Sequence, residues 1–477
     1  MVIVFALVAL LVVSVLVAGN WWLWRRLFRD TTRGPGFVRR AGVVVIAGGW
    51  ALTVGALVAE RSGAPFWLQQ VLAWPGFMWL ALSMYLMLGV LAGEVVRPLL
   101  RRWLERRARA REVVQQPEAA PQAAPADVTA TPTTVPASAP KAGSISSSTA
   151  GAAAVSSTGS AAALTADPLP APAPGTDAPS TSATGPSPAS APDPAEPSRS
   201  LATPTRRLFV SRVVAGAAAA AAVGTVGYGT YGVVRGPKVK RVTVPLAKLP
   251  RAAHGYRIAV VSDVHLGPVL GRGFAQKVVD TINGTQPDLI AVVGDLVDGS
   301  VKDLGPAAAP LAGLRARHGA FFVTGNHEYF SGAEQWVEEV RRLGLSPLEN
   351  ARTELPHFDL AGVNDIAGES EGQGPDFAKA LGDRDRARAC VLLAHQPVQI
   401  HDAVDHGVDL QLSGHTHGGQ LWPGNLVAGM ANPTLAGLDR YGDTQLYVSR
   451  GAGAWGPPTR VGAPSDITVI ELASRQA

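Results

Sequence analysis

Cysteine is almost absent from this chain of 477 residues, which carries only Cys390. A single thiol excludes an internal disulfide, and its place in the apolar run ARACVLLAH predicts a strand residue packed in the core. The sequence also contains no P-loop, the glycine-rich loop that binds the phosphates of a nucleotide. Nucleotide-driven chemistry is therefore not predicted.

Acidic residues are too few to balance the basic ones, so the formal net charge is +5. A positive balance can indicate a nucleic-acid partner. Here, however, the arginines cluster beside apolar segments in the first 111 residues, and hydrophobic residues make up 47% of the chain. No nucleic-acid partner is predicted, and the pattern favours a membrane protein.

Three apolar runs near the N-terminus are long enough to cross a bilayer. They cover residues 1–19, 41–59 and about 72–93. Trp21, Trp22 and Trp24 follow the first run and are typical of an interfacial aromatic belt. Because three such runs argue against buried core helices, residues 1–111 are predicted to form a membrane domain with about three transmembrane helices.

The distribution of arginine between these runs predicts their orientation. The first loop and the segment after the third run are rich in arginine, whereas the second loop holds only Glu60 and Arg61. The positive-inside rule places both arginine-rich segments in the cytoplasm and the N-terminus outside. The arginines concerned are Arg25, Arg26, Arg29, Arg33, Arg39 and Arg40 in the first loop, and Arg97, Arg101, Arg102, Arg106, Arg107, Arg109 and Arg111 after the third run.

Residues 112–204 consist mainly of Ala, Pro, Ser and Thr and contain few aromatic residues. A segment of this composition cannot bury enough apolar surface to offset its chain entropy. We therefore predict a disordered linker that separates two modules.

A fourth apolar segment, residues 205–235, follows the linker. Its pair Arg206-Arg207 near Phe209, before a weakly hydrophobic stretch, is similar to a twin-arginine export signal. A fourth transmembrane helix is the other interpretation, and both leave the arginines inside and the following domain outside. Three basic residues beyond the segment argue mildly for the opposite orientation and are interpreted as a stem at the membrane surface. They are Lys238, Lys240 and Arg241.

Five polar clusters follow apolar, β-rich runs in residues 240–477, and each lies at the end of a predicted strand. Strand ends are the usual place for a site in α/β sheets. The residue types are Asp, Asn and His, which suit divalent ions such as Mn, Fe or Zn and are too many for one ion. The clusters are Asp263-Val264-His265, Gly294-Asp295-Leu296-Val297-Asp298, Gly325-Asn326-His327-Glu328, His395 and Gly414-His415-Thr416-His417.

The clusters resemble the calcineurin-like metallophosphoesterase superfamily, whose pattern is D-x-H, G-D-x-x-D, G-N-H-[DE], a later H and G-H-x-H. The resemblance covers residues 240–477 and implies an α/β fold of two packed β-sheets with helices on the outside. The motifs S-D-x-H-x-G from Ser262 and G-H-T-H-G-G-Q from Gly414 look like the membrane-associated bacterial branch. The protein phosphatases carry an arginine after G-D-x-x-D, where this chain has Gly299, which argues against a phosphoprotein substrate.

The resemblance implies a role for each matching residue. His327 would lie beside the phosphoryl group, to protonate the leaving group or stabilise charge, and Asp298 would orient His327. Two divalent ions would activate a bridging water as the nucleophile. The ions would be held by Asp263, His265 and His417 at one position, by Asn326, His395 and His415 at the other, and by Asp295 as the bridge.

Other interpretations exist for single residues. Asp263 alone could cap a helix, and Asp295 with Asp298 could form an Asx turn, but no folding rule requires such groups at five strand ends. Glu328 is either a partner of the site or a helix-start acid, and Arg460 either contacts phosphate or is a solvated surface residue. The histidines outside the pattern are interpreted as surface or loop residues. They are His254, His318, His357, His401 and His406.

The implied function is a membrane-anchored hydrolase of a phosphomonoester or phosphodiester, and tethering favours a lipid or cell-envelope phosphoester. One alternative is a non-catalytic metal-binding scaffold on the same fold, which would be favoured by loss of His327 or of a ligand. A second is a membrane receptor or transport component, which would be favoured by ionisable residues inside the spans. Neither His327 nor a ligand is missing, the first two spans hold no ionisable residue, and Glu94 near the end of the third is interpreted as interfacial.

Overall fold

The computed structural model describes residues 2–115 and 205–476. The predicted linker therefore lies outside the described residues, apart from its first four positions. The described residues form eleven α-helices: α1 (Val2–Trp24), α2 (Phe37–Arg61), α3 (Phe66–Gln115), α4 (Arg206–Val234), α5 (Arg272–Gly284), α6 (Val301–Ala308), α7 (Asn326–Ser331), α8 (Ala333–Arg342), α9 (Phe377–Leu381), α10 (Ile400–Asp405) and α11 (Gly424–Ala431).

Two mixed sheets of six strands each occupy the part of the chain after α4. Their orders are β1-β12-β2-β3-β4-β5 and β10-β11-β9-β8-β7-β6. In the first sheet β2, β3 and β4 are parallel neighbours, as β7, β8 and β9 are in the second. The strands are β1 (Lys238–Leu246), β2 (Tyr256–Val261), β3 (Leu289–Val293), β4 (Ala320–Val323), β5 (Ser346–Pro347), β6 (Ala351–Glu354), β7 (Asp359–Gly362), β8 (Cys390–Leu393), β9 (Leu410–Ser413), β10 (Gly437–Tyr441), β11 (Thr444–Val448) and β12 (Asp466–Ser474).

The sheets share one apolar core, and helices cover their outer faces. Alternate residues of β2 point to opposite sides: Ile258 and Val260 join side chains of the second sheet, whereas Ala259 and Val261 face α5, α6 and α8. A strand buried on both faces needs such a continuous apolar run. The outer face of the second sheet packs on α9 and α10. The predicted fold of two sheets flanked by helices is therefore confirmed.

Strand β1 corrects the interpretation of the basic stem. Residues 238–246 pair in parallel with β12 along their whole length, so Lys238, Lys240 and Arg241 belong to the sheet. Apolar residues of this segment alternate, and Val244 and Leu246 are buried. Charged residues at the other positions interrupt the apolar pattern by which a strand is recognised in a sequence.

Three helices of the described chain, α2, α3 and α4, are long and apolar enough to cross a membrane. Helices α2 and α3 contain the predicted spans at 41–59 and about 72–93, and α4 covers the predicted segment 205–235 except for its two end residues. Helix α1 covers residues 2–19 of the first predicted span. Helix α4 begins after Thr205, whose hydroxyl accepts a hydrogen bond from the backbone of Leu208. The hydroxyl thus satisfies one of the helix's free N–H groups.

The arginine-rich segments meet at one end of the helix bundle. Arg26 and Arg97 each place a guanidinium nitrogen 2.6 Å from the carboxylate of Glu94. Arg212 of α4 donates to the carbonyl of Thr31 at 3.0 Å. All three predicted cytoplasmic segments therefore lie at the same end.

The two-sheet domain packs at the other end of the bundle. The hydroxyls of Thr230 in α4 and Thr459 lie 2.7 Å apart, and Lys277 of α5 donates to the carbonyl of Val234 at 2.6 Å. Helices α3 and α4 run antiparallel, because Gly93 lies against Val214 while Met78 contacts Thr230. The bundle thus separates the basic end from the domain.

Candidate metal centre

The predicted ligands gather at the carboxyl ends of β2, β3, β4, β8 and β9, and the backbone is strained there. Five of them adopt left-handed backbone conformations, with φ between 47° and 70°. Such a conformation in a non-glycine residue costs on the order of 1 kcal/mol and tends to cluster at functional sites. The five residues are Asp263, His265, Asp295, His415 and His417.

The first group consists of Asp263, His265 and His417, whose ligand atoms all lie within 4.8 Å of one another. Nε2 of His265 is 2.9 Å from Nε2 of His417, which is 3.3 Å from Oδ1 of Asp263. All three side chains are buried. Two imidazoles and a carboxylate thus converge on one point.

The second group consists of Asp295, His395 and His415, with Asn326 beside it. Nε2 of His395 lies 3.1 Å from Oδ2 of Asp295, and Nδ1 of His415 lies 2.9 Å from Oδ1 of Asn326. The same Oδ2 of Asp295 is 3.8 Å from Nε2 of His265 in the first group. Asp295 therefore lies between the two groups.

The hydrogen bonds of two rings leave their inner nitrogens available to a metal ion. Nδ1 of His265 lies 2.8 Å from the carboxylate of Asp298, and Nδ1 of His395 lies 2.9 Å from the carbonyl of Val293. Both partners accept a hydrogen bond, so each ring donates through Nδ1 and directs Nε2 toward other predicted ligands. Nε2 of His395 is buried and makes no well-aligned hydrogen bond, although Oδ2 of Asp295 lies 3.1 Å from it.

The charges of the second group also suit a cation. Burial lowers the pKa of His395, but the Asp295 carboxylate outweighs this and raises that pKa well above its ordinary value. A divalent ion bound by the side chains of His395 and Asp295 would displace that proton. Burial and the neighbouring His395 lower the pKa of His415 to about 4, which keeps its ring in the neutral form that binds metals. The donor set therefore fits divalent ions.

His417 differs from the other rings because Arg460 contacts it. A guanidinium can only donate, so Nη2 of Arg460 donates to Nδ1 of His417 at 3.0 Å, and the ring proton lies on Nε2. Ligation through Nε2 requires this proton to leave. Burial and Arg460 together hold the pKa of His417 well below its ordinary value, which keeps the ring uncharged.

Arg460 is itself buried, so the interpretation of this residue as a solvated surface arginine is wrong. Its guanidinium donates to the backbone carbonyls of Gly453, His417 and Arg450, at 2.6, 3.0 and 2.6 Å. These carbonyls belong to two loops that carry or support the ligands. Arg460 therefore ties the two loops together.

Asp298 connects the first group to His327. Its Oδ1 lies 2.8 Å from Nδ1 of His265 and 2.7 Å from Nδ1 of His327. Burial alone would raise the pKa of Asp298, but the two rings hold it below its ordinary value. Burial lowers the pKa of His327, whereas Asp298 raises it to about 9. The contact with His265 was not foreseen, because sequence spacing does not reveal a shared acceptor.

His327 lies at the rim of the site between two aromatic residues. The rings of Phe330 and Trp455 each meet it edge-on at 5.6 Å between centroids. Both aromatic side chains are exposed. Nε2 of His327 makes no hydrogen bond within the described residues and remains available to a substrate.

Glu328 supports the loop of Asp295. It is fully buried, and its carboxylate accepts hydrogen bonds from the backbone of Asp295, Leu296 and Gly325 at 3.0, 2.8 and 2.6 Å. Burial and the nearby Asp295 raise the pKa of Glu328 to about 7. It is therefore both the first-turn acid of α7 and a partner of the site, which answers the question left open by the sequence.

Replacing Glu328 by alanine should destabilise the domain, because three buried N–H groups lose their acceptor. We expect a loss of at least about 3 kcal/mol, since each unsatisfied buried group costs about 1–3 kcal/mol. The melting temperature of the detergent-solubilised chain should fall by about 5–10 °C. Glu338→Ala, at an exposed position on α8, is the matched control. Equal melting temperatures for the two variants would contradict this role.

One glycine motif of the sequence packs against the loop of Asp263. Residues 451–456 read GAGAWG and follow β11, which is the G-x-G-x-x-G spacing of dinucleotide-binding loops. A dinucleotide-binding loop must be followed by a helix, and no helix lies between this motif and β12. A side chain at Gly451 or Gly453 would instead collide with Asp263 or Val264. The glycines therefore permit close packing against the first ligand loop.

The remaining histidines lie away from the centre, as predicted. None of the five is buried. His318, for example, stacks on Tyr256 and lies 2.6 Å from its hydroxyl. Cys390 is a buried residue of β8, which confirms its predicted place in the core.

Comparison with known proteins agrees with this geometry. Residues 256–419 match the family model described as calcineurin-like phosphoesterase. The chain is 38% identical over 259 residues to a transmembrane protein with metallophosphoesterase domain of Danio rerio, covering 51% of this chain and 59% of that protein. It is 38% identical over 247 residues to an uncharacterized metallophosphoesterase of Helicobacter pylori, with 51% and 66% covered.

A shorter relative is covered almost completely. The chain is 33% identical over 243 residues to an uncharacterized metallophosphoesterase of Aquifex aeolicus, which spans 50% of this chain and 92% of that protein. The fold and the clustered candidate ligands are those of a metallophosphoesterase-type domain. This chain belongs to the calcineurin-like metallophosphoesterase family. It spans only 59% and 66% of the zebrafish and Helicobacter relatives.

Proposed function

We propose that the chain is a membrane-anchored phosphoesterase that hydrolyses a phosphomonoester or phosphodiester with two divalent metal ions. The observation that carries the proposal is the pair of buried donor groups joined by Asp295. Mn, Fe and Zn all accept such mixtures of imidazole and carboxylate ligands. The proposed ligands are Asp263, His265 and His417 for one ion, Asn326, His395 and His415 for the other, and Asp295 for both.

Two ions, when bound, would polarise the phosphoryl oxygens and lower the pKa of a water molecule. The chain's own groups supply the remaining chemistry. Asp298 fixes the orientation of His327, whose Nε2 is positioned to donate a proton to the leaving oxygen. Phe330 and Trp455 flank that ring at the rim of the site.

The lack of an arginine after G-D-x-x-D, where the protein phosphatases have one, argues against a phosphoprotein substrate. Ser300, close to the position of their arginine, forms the N-cap of α6 and accepts a hydrogen bond from Asp303. Neither Gly299 nor Ser300 supplies a guanidinium clamp for phosphate. We therefore propose a lipid or cell-envelope phosphoester rather than a phosphoprotein, consistent with the apolar helices of the chain.

A phosphoester panel tests the proposal directly. The detergent-solubilised full chain should hydrolyse nitrophenyl monoesters or diesters after loading with Mn, and chelation should abolish the activity. Ions bound without any hydrolysis across the panel would contradict the enzyme and favour the scaffold alternative.

The orientation of the chain is a separate proposal. Because the arginine-rich segments meet at one end of the bundle, the positive-inside rule places that end in the cytoplasm and the domain outside. A reporter that works only outside the membrane should therefore be active when fused after residue 477. The same reporter fused near residue 150 should be silent. The reverse pattern of activity would reverse the orientation.

A further inference from the structure

The segment that follows the G-H-x-H ligands is an uncharged part of the domain surface. No Asp, Glu, Lys, Arg or His occurs from Leu421 to Leu438, and we call these residues the apolar segment. It begins four residues after His417 and contains α11. Its far end returns to the ligand loop, where the hydroxyl of Thr416 donates to the carbonyl of Leu435 at 2.7 Å.

The apolar segment exposes its large side chains instead of burying them. None of the residues of α11, all of which are described, is buried. Leu426, Val427 and Met430 are 63%, 66% and 81% exposed, and Trp422 is 52% exposed. Contiguous apolar side chains of this kind mark an interaction site on a folded domain.

The start of the apolar segment lies against the membrane-crossing helices. The hydroxyl of Tyr85 in α3 donates to the carbonyl of Trp422 at 2.9 Å. Leu421 packs against the buried cluster that contains Ala81 and Leu86 of α3 and Val226 of α4. The apolar segment is therefore continuous with the lipid-facing helix bundle.

Distances along α3 place this contact at the depth of lipid. Tyr85 lies nine residues before Glu94, which binds the arginines at the basic end, so the two are roughly 14 Å apart along the axis. Tyr85 lies 19 residues after Phe66, or roughly 28 Å from the opposite end of the helix. A hydrocarbon layer about 30 Å thick that begins near Glu94 therefore extends past Tyr85.

The candidate metal centre faces the same end of the bundle. Val269, four residues after His265, packs against the buried cluster of Ala56 in α2 and Ala73 and Phe77 in α3. The apolar segment also supports the ligand loop directly, because a side chain at Gly419 would collide with the backbone of Asn425 in α11. Lipid in contact with α11 would thus be next to the site.

We propose that the apolar segment inserts into the membrane leaflet on the domain side, and that the site takes the phosphoester of a lipid held in that leaflet. This inference rests on the proposed phosphoesterase function and names its substrate class. The acyl chains would remain among the apolar side chains of α11 and α3, while the phosphate reaches the ligands at the end of the segment. A water-soluble phosphoester needs no such contact.

Spin labels in the full chain, reconstituted in lipid nanodiscs, test the insertion. The only native thiol, Cys390, is fully buried, so the unmodified chain is the unlabelled blank. A nitroxide at Met430→Cys should be relaxed by oxygen more than by a water-soluble nickel complex, as at Val58→Cys on the exposed face of α2. Glu338→Cys is the water-exposed control.

Two results of the labelling experiment would overturn the insertion. A nickel response at Met430→Cys equal to that of Glu338→Cys would place α11 in water. Protection from both reagents would place it in a protein contact, such as one with a second copy of the chain.

Hydrolysis tests the substrate class. Met430→Asp should reduce hydrolysis of a nanodisc phospholipid about tenfold, because a charge in lipid is unfavourable. Its kcat/KM for a soluble nitrophenyl phosphoester should stay the same. Val398→Asp, at an exposed valine outside the apolar segment, is the matched control and should change neither rate.

The outcomes separate this inference from the function on which it rests. If the unmodified chain hydrolyses the soluble ester but Met430→Asp affects both substrates equally or neither, the lipid inference is wrong and the phosphoesterase stands. If the unmodified chain hydrolyses neither substrate after metal loading, the proposed function itself fails.

Discussion

Asp295→Ala should lose at least one of two bound metal ions and nearly all phosphoesterase activity. The carboxylate lies 3.1 Å from His395 and 3.8 Å from His265, so it contacts both donor groups. No other predicted ligand touches rings of both groups. We expect kcat to fall by about 10³-fold or more, since losing one electrostatic stabiliser alone costs about 10²–10³-fold.

Metal analysis of the purified full chain, together with turnover of a nitrophenyl phosphoester, checks this prediction. Asp295→Asn keeps the shape of the side chain and removes its charge, so a folded but inactive variant separates ligation from stability. Asp280→Ala is the control, because it removes an exposed carboxylate on α5 that is not a predicted ligand. Unchanged activity and unchanged metal content in Asp295→Ala would refute the assignment of the bridge.

His327→Ala should keep its metal ions and lose about 10²–10⁴-fold in turnover, the range typical of a general acid. Nδ1 of His327 contacts Asp298 at 2.7 Å, and these two side chains form a third group with His265 whose ligand atoms lie within 4.8 Å of one another. The metal content of the variant therefore decides whether His327 acts as an acid or as a ligand. The loss should shrink for esters with very good leaving groups, because these need little protonation.

The dependence on leaving group distinguishes an acid from a ligand. A series of phenyl phosphoesters of increasing leaving-group pKa should show a steeper decline in rate for His327→Ala than for the unmodified chain. His318→Ala, a ring outside the centre, should behave like the unmodified chain. If His327→Ala loses metal instead, then His327 is a ligand and its proposed role is wrong.

Local patterns were sufficient to predict the central strands of both sheets. The runs around Ile258 and Val391 are continuous and apolar, and continuous runs bounded by turns belong to strands buried on both faces. Edge strand β1 was not predicted, because its charged positions interrupt the apolar pattern. Strands β11 and β12 follow each other in the chain yet belong to different sheets, which only long-range pairing decides.

The hydrogen bonds that support the metal centre could not be predicted either, because they join residues far apart in the chain. The residues Glu328, Arg460 and Asp298 each act through partners distant in sequence: the Asp295 loop, the carbonyl of Gly453, and His265. Buried polar groups must find hydrogen-bond partners, but which partners they find depends on how the loops pack. A charged residue read from sequence alone is therefore easily mistaken for a surface residue.

The sequence by itself determined which donor types occur, that they follow strands, and that long apolar runs accompany them. These are local properties, because side-chain type, strand pattern and hydropathy are each read within a few residues. The tertiary structure alone decided that Asp295 stands between two donor groups and that the uncharged segment after His417 lies beside α3 and α4, which are long and apolar enough to cross a membrane. Both depend on contacts between residues far apart in the chain, whose geometry is set by packing rather than by any local propensity.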